Sequence, residues 1–419
     1  MDCPRADSPT RDNSAETWRG ALAAGAGLAG LLRLPYRYQP WRPRHIRLVL
    51  RDLTGRSPVL AHDDRAHLAA ALDWLCLAQD VLDRRSDAGG VSAGWSFEDG
   101  WLPGYPETTG FIIETFIEAA EALKRPDLIR RAHRMIDWLL GLQHTDGAFP
   151  GHYGEPGSRP VIFNTGQIMH GLLAGHLRLG RPECLTAAVR AGFWLAEQQD
   201  GDGCWRRSQH NDVHHTYDTR ASWALLRTGL AAQEPILRNA ASRQLDWAVE
   251  QQDRDSWFAH NAFRTDGTPS THTIAYAICG LLESGLLVGK EDYLAAAKKA
   301  AYAVARLQRG DGWLAGAYGR GWNPDASHCC LTGVAQMAVN WTILAVGCGE
   351  SELLDHARLA VAYLKRHHRV TAHDPVIRGG LAGSYPIWGA YERFCYPAWA
   401  VKFFADAIMS LERSTRSAC

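Results

Sequence analysis

The sequence predicts an all-α fold, an (α/α)6 toroid of six outer–inner helical hairpins. Three observations lead there. A glutamine closes an amphipathic helical pattern at positions 79, 143, 199, 252 and 308, at intervals of 53 to 64 residues. Each is followed by a turn marked by Gly or Trp, and each turn by a second helical pattern that is apolar nearly all round. A helix apolar on every side is surrounded by protein, whereas an amphipathic one forms an outer layer. Six such pairs cannot bury their apolar faces singly, but they can when stacked and closed into a ring. The ring spans residues 64–412, preceded by a polar and basic arm, 1–63, and followed by a short tail, 413–419.

Residues 1–18 are polar and read as disordered. Residues 33–56 are basic and aromatic, with Arg33, Arg37, Arg42, Arg44, Arg47, Arg51 and Arg56 beside Tyr36, Tyr38 and Trp41. Prolines at 35, 40 and 43 break any helical face. The stretch therefore reads as a solvated arm laid over the main domain, ahead of a surface for phosphate or membrane. His45–Leu53 fits a short helix or a strand.

In the ring, an aromatic stands five residues before four of the glutamines: Trp74, Trp138, Trp194 and Trp247. Ala303 takes that place in the fifth copy. A sixth, Ala357–His368, keeps the helix without the glutamine. The turns are Gly94-Trp95, Asp146-Gly147, Gly203-Cys204-Trp205, Asp255-Ser256-Trp257, Asp311-Gly312-Trp313 and Gly379-Gly380. The helix heads that follow carry Thr, Asn or Asp, which suit N-capping.

Lys+Arg and Asp+Glu both number 45, so no basic excess points to nucleic acid. The 10 cysteines include no CxxC pair and read as reduced thiols of a cytoplasmic protein. The apolar run Ala21–Leu32 is too short to span a bilayer, so no transmembrane segment is expected. No metal is expected either: His328-Cys329-Cys330 and the trio His210, His214 and His215 lack a full ligand set at defined spacing. No phosphate-cradling loop, dinucleotide fingerprint or GxSxG elbow occurs, and no cofactor is expected. The 16 tryptophans read as core packing or as platforms for sugar rings.

In a toroid the inner-helix heads share one rim, each offering free backbone N–H groups and the positive end of its dipole. The loops leading to them are the most polar and aromatic parts of the chain. They supply Trp101, Tyr105 and Glu107; His152, Asn164 and Gln167; His215, Tyr217 and Arg220; Trp257 and His272; Arg320; and Tyr385 and Trp388. Histidine with tyrosine can remove and return a proton next to a carboxylate. Arginine and Asn/Gln can hold that carboxylate and spread the enolate charge. Glu107 could equally cap its own helix.

The six-fold pattern resembles the (α/α)6 toroids of polysaccharide lyases, of unsaturated-uronyl hydrolases and of the C-terminal domain of glucuronyl C5-epimerases. The local match is Phe163-Asn164-Thr165-Gly166-Gln167-Ile168 through Leu179, similar to the epimerases' Gly-Gln head. The epimerases' tyrosine-centred mechanism would fall on Tyr217, Tyr385 or Tyr396, and their extra β-domains are missing. Gly104–Gly110 and Gly383–Trp388 resemble a family of toroid proteins associated with bacterial polysaccharide gene clusters. A second resemblance, to squalene–hopene-type cyclases, lies in Trp194-Leu195-(x)2-Gln198 with Gly203-Cys204-Trp205. The weaker copy is Leu139-(x)3-Gln143 with Asp146-Gly147. The acidic Asp-x-Asp-Asp of those cyclases is absent; Asp200-Gly201-Asp202-Gly203 and Asp63-Asp64 do not match it.

Together these readings predict a carbohydrate-active enzyme on uronic-acid-containing glycans that abstracts the C5 proton, as a lyase or an epimerase. Tyr217 and His215 are the expected base and acid, with His272 beside them. Arg220, Asn164 and Gln167 would hold the carboxylate, and Trp101, Trp257 and Trp388 would stack on sugar rings. A hydrolase using Glu107, a terpene-type cyclase and a non-catalytic glycan-binding toroid are the alternatives. The expected partner is a glycan or small-molecule substrate; the oligomeric state stays open.

Overall fold

The computed structural model describes residues 37–55, 62–154 and 158–417. The expectations for residues 1–18, for Ala21–Leu32 and for Arg33, Tyr36 and Arg56 lie outside the described residues. Helix α1 (Pro43–Thr54) precedes the ring. The outer helices are α2 (Asp64–Asp80), α4 (Pro126–Leu142), α6 (Pro182–Gln198), α8 (Pro235–Glu250), α10 (Glu291–Ala305) and α12 (Leu353–His367). The inner helices are α3 (Pro106–Leu123), α5 (Ile162–Leu179), α7 (Thr219–Ala231), α9 (Thr271–Val288), α11 (Leu331–Gly347) and α13 (Ala398–Ser417). Each inner helix packs on the next round the ring, and α13 returns to α3. The last helix runs to Ser417, so the chain is still helical where the sequence suggests a tail from 413.

The short connections run from inner to outer helix. Lys124, Gly180 and Gly289 end α3, α5 and α9 in the left-handed conformation. Proline in the first turn then starts α4, α6 and α8, where its missing N–H costs nothing. The long connections run from outer to inner helix and gather at the inner-helix N-termini. The ring closes through its ends: α2 packs on α13.

The recurring glutamine has a structural task. Gln199 Nε2 donates to Gly203 O at 2.9 Å in its own turn and to Ala240 O at 2.8 Å on the next outer helix. Gln143 does the same to Gly147 O and Ala187 O, and Gln252 to Ser256 O and Ala296 O. The turn glycines Gly147, Gly203, Gly312 and Gly379 lie against the neighbouring outer helix. At Gly147, with φ +96, a Cβ would stand 2.5 Å from Arg190 O. The inner helices also meet closely: a Cβ on Gly110 would lie 2.6 Å from Ile168 Cα. The repeat tryptophans belong to the packing as well. Trp205 Nε1 donates to Leu195 O, and Trp74 Nε1 to Val376 O.

Five short strands fasten the rim loops. β1 (Gly94–Ser96) pairs antiparallel with β2 (Gly100–Trp101) and with β5 (Cys395–Pro397), Trp95 opposing both Trp101 and Tyr396. β3 (Cys329–Cys330) pairs with β4 (Ser384–Tyr385). Cys330 Sγ accepts from Gly333 N and so caps α11; the His-Cys-Cys stretch is built into the fold.

The arm differs from expectation in one respect. Pro43 starts helix α1 rather than breaking it, because proline is at home in the first turn. The helix is laid on the ring by His45, Leu48 and Asp52. His45 stacks on Phe97 at 3.9 Å, and Asp52 Oδ2 accepts from Ile387 N at 2.9 Å.

Candidate active site

Glu107 occupies the first turn of α3, directly after Pro106, and its carboxyl is buried. The Tyr105 hydroxyl donates to Glu107 Oε2 at 2.8 Å. Aromatic rings from the other heads and loops continue outward from this pair. Tyr105 meets Tyr153 at 5.8 Å and Trp399 at 5.9 Å. Trp399 Nε1 donates to the Tyr391 hydroxyl at 2.9 Å, and Tyr391 lies 5.2 Å from His272. His272 contacts Tyr276 at 4.4 Å and Phe263 at 6.3 Å; Phe263, partly exposed, also reaches Tyr217 at 5.9 Å. Phe163 stands between Tyr217 and Tyr276.

Burial pushes the Glu107 carboxyl up to about 7, against the pull of the Tyr105 hydroxyl and the Arg220 charge. Such a group can give or take a proton at neutral pH. The Tyr217 phenol is held well above its ordinary range by burial and by the nearby Asp218 and Glu107 carboxylates. It stays protonated, and its hydroxyl has no hydrogen-bond partner among the described residues. Burial pushes His272 down to about 3. Its Nδ1 faces Gln336 Oε1 at 2.8 Å, so Nδ1 carries the proton and Nε2 keeps its lone pair.

Among the described residues other buried polar atoms also lack close hydrogen-bond partners: both amide atoms of Asn164, which stands beside the Tyr105 hydroxyl, Gln167 Nε2 and Thr108 Oγ1 at the heads, and both amide atoms of Asn261 in the loop before α9. Buried amides and hydroxyls are nearly always satisfied, so such a gathering calls for a ligand or ordered water. It suits a molecule dense in hydroxyl groups.

The structure brings together Tyr105, Glu107, Asn164, Tyr217 and His272 from the sequence-derived set. It separates others. His215 stacks flat on Tyr217 at 4.3 Å, but its Nδ1 faces Ala262 O at 3.0 Å and its Nε2 faces His210 O at 3.2 Å. With both nitrogens on backbone carbonyls it orients Tyr217 and has no atom left for the expected acid role. Protonated Tyr217 is likewise a donor before it is a base. Arg220 and Gln167, expected to hold a carboxylate, hold each other: Arg220 Nε donates to Gln167 Oε1 at 2.8 Å, and Nη1 to Cys279 Sγ at 3.1 Å. Arg220 also lines a cavity of about 210 Å³ among the inner helices, with Tyr276, Glu283 and Lys402.

The expected stacking residues serve the loops. Trp101 packs on Trp74 at 5.3 Å, and Trp257 Nε1 donates to Tyr318 O. Trp388 is half-buried against the core, and Tyr385 lies on His367 at 4.0 Å. Arg320 is exposed and pairs with Asp253 at 3.4 Å. His152 is exposed at the margin, edge-on to His210. Tyr276, Phe263 and Trp399 were not singled out from the sequence. Tyr276 follows His272 by one helical turn, a spacing that places both on one face, but it sits in a run that reads as core.

The chain can be set beside known proteins. The model of the squalene–hopene cyclase C-terminal domain matches residues 104–282. No curated protein matches the sequence. Among solved structures, the unsaturated glucuronyl hydrolase of Bacillus sp. GL1, responsible for the degradation of glycosaminoglycan, superposes with a TM-score of 0.65 at 17% identity, covering 84% of this chain and 97% of that one. Cellobiose 2-epimerase from Spirochaeta thermophila gives 0.64 at 17% identity over 86% and 99%. D-mannose isomerase gives 0.64 at 11% identity over 85% and 100%. At these identities the likeness establishes the fold: an (α/α)6 toroid, like those enzymes.

Proposed function

We propose that this toroid is a carbohydrate-active enzyme in which Glu107 transfers a proton to or from a sugar bound at the inner-helix heads. The observation that carries the reading is a carboxyl poised near neutrality, with the unpartnered Tyr217 hydroxyl close enough to feel its charge and Asn164 beside the Tyr105 hydroxyl that donates to it. The aromatic faces of Tyr105, Tyr153 and Phe263 suit the apolar faces of a sugar ring. The similar structures are named for enzymes that act on sugars, in agreement with this reading.

The step we favour is removal of a proton from carbon next to a carbonyl or carboxylate. Glu107 as carboxylate takes the proton, and the C–H electron pair moves onto the carbonyl oxygen. The Tyr217 hydroxyl and the Asn164 amide would steady that oxyanion. Return of a proton to the opposite face gives an epimer; loss of the β-substituent gives an unsaturated sugar. A uronate clamp built on Arg220 is not part of the reading, because that guanidinium is engaged with Gln167 and Cys279. Hydrolysis, with protonated Glu107 as the acid, uses the same residues.

The test is incubation with neutral and uronate-containing oligosaccharides in heavy water. Deuterium uptake signals epimerisation, ultraviolet absorbance of an unsaturated uronate signals elimination, and new reducing ends signal hydrolysis. Absence of all three signals across the panel, or a Glu107→Gln variant with undiminished turnover, would overturn the reading. A second reading, cyclisation of an isoprenoid, draws on the cyclase-domain match over residues 104–282 and on the aromatic lining, which suits a carbocation. The unpartnered amides weigh against a hydrocarbon. Turnover of squalene-like substrates, blocked by Glu107→Gln, would favour it.

A further inference from the structure

The described part of the basic arm and the end of α12 enclose a groove of about 500 Å³, away from the Glu107 cluster and within the size range of small-molecule sites. Its walls carry six cations: Arg44, Arg47, Arg51, Lys365, Arg366 and Arg369. Three have carboxylate partners. Arg44 Nη2 donates to Asp374 Oδ1 at 3.1 Å, Arg51 pairs with Asp52 at 2.7 Å, and Lys365 pairs with Asp64. The other three have none among the described residues. Arg47 Nε donates only to Pro43 O, and Arg366 donates to Asp311 O. Arg369 has no carboxylate partner among the described residues, and its guanidinium is pulled below its ordinary range by burial and by Arg51. His62, also in the wall, has a buried Nε2 without a partner. Arg369 is partly buried beside Arg51, and a charge taken out of water is costly unless an anion joins it; the exposed Arg47 and Arg366 add two further positive groups to the same wall.

We propose that this groove is a binding site for a diphosphate group. Guanidinium groups bind phosphate oxygens in paired, charge-assisted hydrogen bonds. Several negative charges within one small group match three free cations around one cavity. A uronate chain, with a single charge per sugar, spreads its charge too widely for that. The diphosphate can belong to a soluble molecule or to a lipid headgroup at a membrane. Helix α1 offers a cue to the second source: Ile46, Leu50 and Leu53 form an exposed apolar stripe on its outer side.

The experiment is calorimetric titration of the full-length protein with inorganic pyrophosphate at low salt, with a uronate oligosaccharide in parallel. Saturable binding of pyrophosphate is expected, weakened at least tenfold by Arg369→Gln and progressively by salt. Arg47→Gln, at an exposed position, gives a second reading should Arg369→Gln fail to fold. Absence of pyrophosphate binding, unchanged affinity in a folded Arg369→Gln variant, or preference for the uronate overturns the proposal. Flotation with anionic phosphatidylglycerol and neutral phosphatidylcholine vesicles separates the sources. Capture by anionic vesicles, competed by pyrophosphate and lost in Leu50→Gln/Leu53→Gln, assigns the phosphate to a lipid. Pyrophosphate binding without capture assigns it to a soluble ligand. Neither arm depends on Glu107, so the outcome is independent of the sugar reading.

Discussion

The Tyr105 hydroxyl donates to Glu107 Oε2 across the first turn of α3, at 2.8 Å. That bond favours the ionised carboxylate while burial opposes it, and the balance leaves the group near 7. Tyr105→Phe removes the donor, so the Glu107 pKa must rise. A hydrogen bond to a charged group is worth about 1.5–3 kcal/mol, or roughly one to two pH units. With Glu107 as base, the acidic limb of the pH–rate profile moves upward by about that much, while the maximal rate at high pH changes less.

Glu107→Gln keeps the shape and loses the titrating proton. The expected result is a loss of about 10²- to 10⁴-fold in turnover, with sugar binding retained in equilibrium dialysis. Tyr217→Phe, by contrast, removes a donor to the developing oxyanion and should lower kcat more than it raises KM.

Asp218 offers a test in stability. Gln209 donates to its Oδ2, yet burial pushes the carboxyl up to about 8 from an ordinary 3.8. The folded state therefore holds a proton that the unfolded state has released. Stability from this group is full below the unfolded pKa and is lost as pH rises toward 8. The buried histidines act oppositely, but His215 and His272, pushed down to about 3, exert their slope only below their ordinary 6.5. Glu107, Glu283 and Glu392, which burial pushes up to about 7, add a slope of the same sign below that pH, so the Asp218 slope stands apart between pH 7 and 8. The Tm should fall across that window, and Asp218→Asn should flatten the fall. An equally steep decline in the variant would refute the assignment.

The glutamine pins should be measurable one by one. Gln199→Leu leaves the carbonyls of Gly203 and Ala240 without their donor. A cost of about 1–3 kcal/mol is expected. Combined with Gln252→Leu one repeat away, the losses should add in denaturant unfolding, as they do for sites without shared partners.

Close approach of the inner helices predicts a contrast between two glycines. Gly110→Ala drives a methyl group into the α5 backbone at Ile168 and should cost several times more than an ordinary surface change. At Gly141, on α4, nothing lies within 4 Å. Gly141→Ala should stabilise by about 0.5–1 kcal/mol through helix propensity.

The ring was legible in the sequence because its architecture repeats: the glutamine, the turn glycine and the following apolar helix recur, and each has one structural reason. Glu107, Tyr105, Asn164 and Tyr217 were legible because polar residues stand out at the head of an apolar helix. The roles were less so. Whether His215 can donate depends on the carbonyls of His210 and Ala262, and the second comes from a different loop. Arg220 lies three residues after Tyr217 in sequence, yet it turns into the cavity among the inner helices because Gln167 and Cys279 receive it there. Such choices are made by neighbours from other repeats, which no local pattern displays. The aromatic Trp101 and Trp257 looked like platforms for the same reason: their partners, Trp74 on α2 and Tyr318 in a later loop, come from other segments of the chain.

The pairing of α2 with α13, and of β1 with β5, has a consequence for biosynthesis. The apolar side of α2, with Leu68, Leu72 and Trp74, is buried in the finished ring. Its partner helix begins only at Ala398. On the ribosome that surface waits for nearly the whole chain, on the order of tens of seconds at ~5–20 residues per second. The ring cannot close before α13 has been made, and until then the nascent protein presents the greasy face of α2. A chaperone that shields exposed apolar segments would find its principal customer there, on the helix that opens the ring.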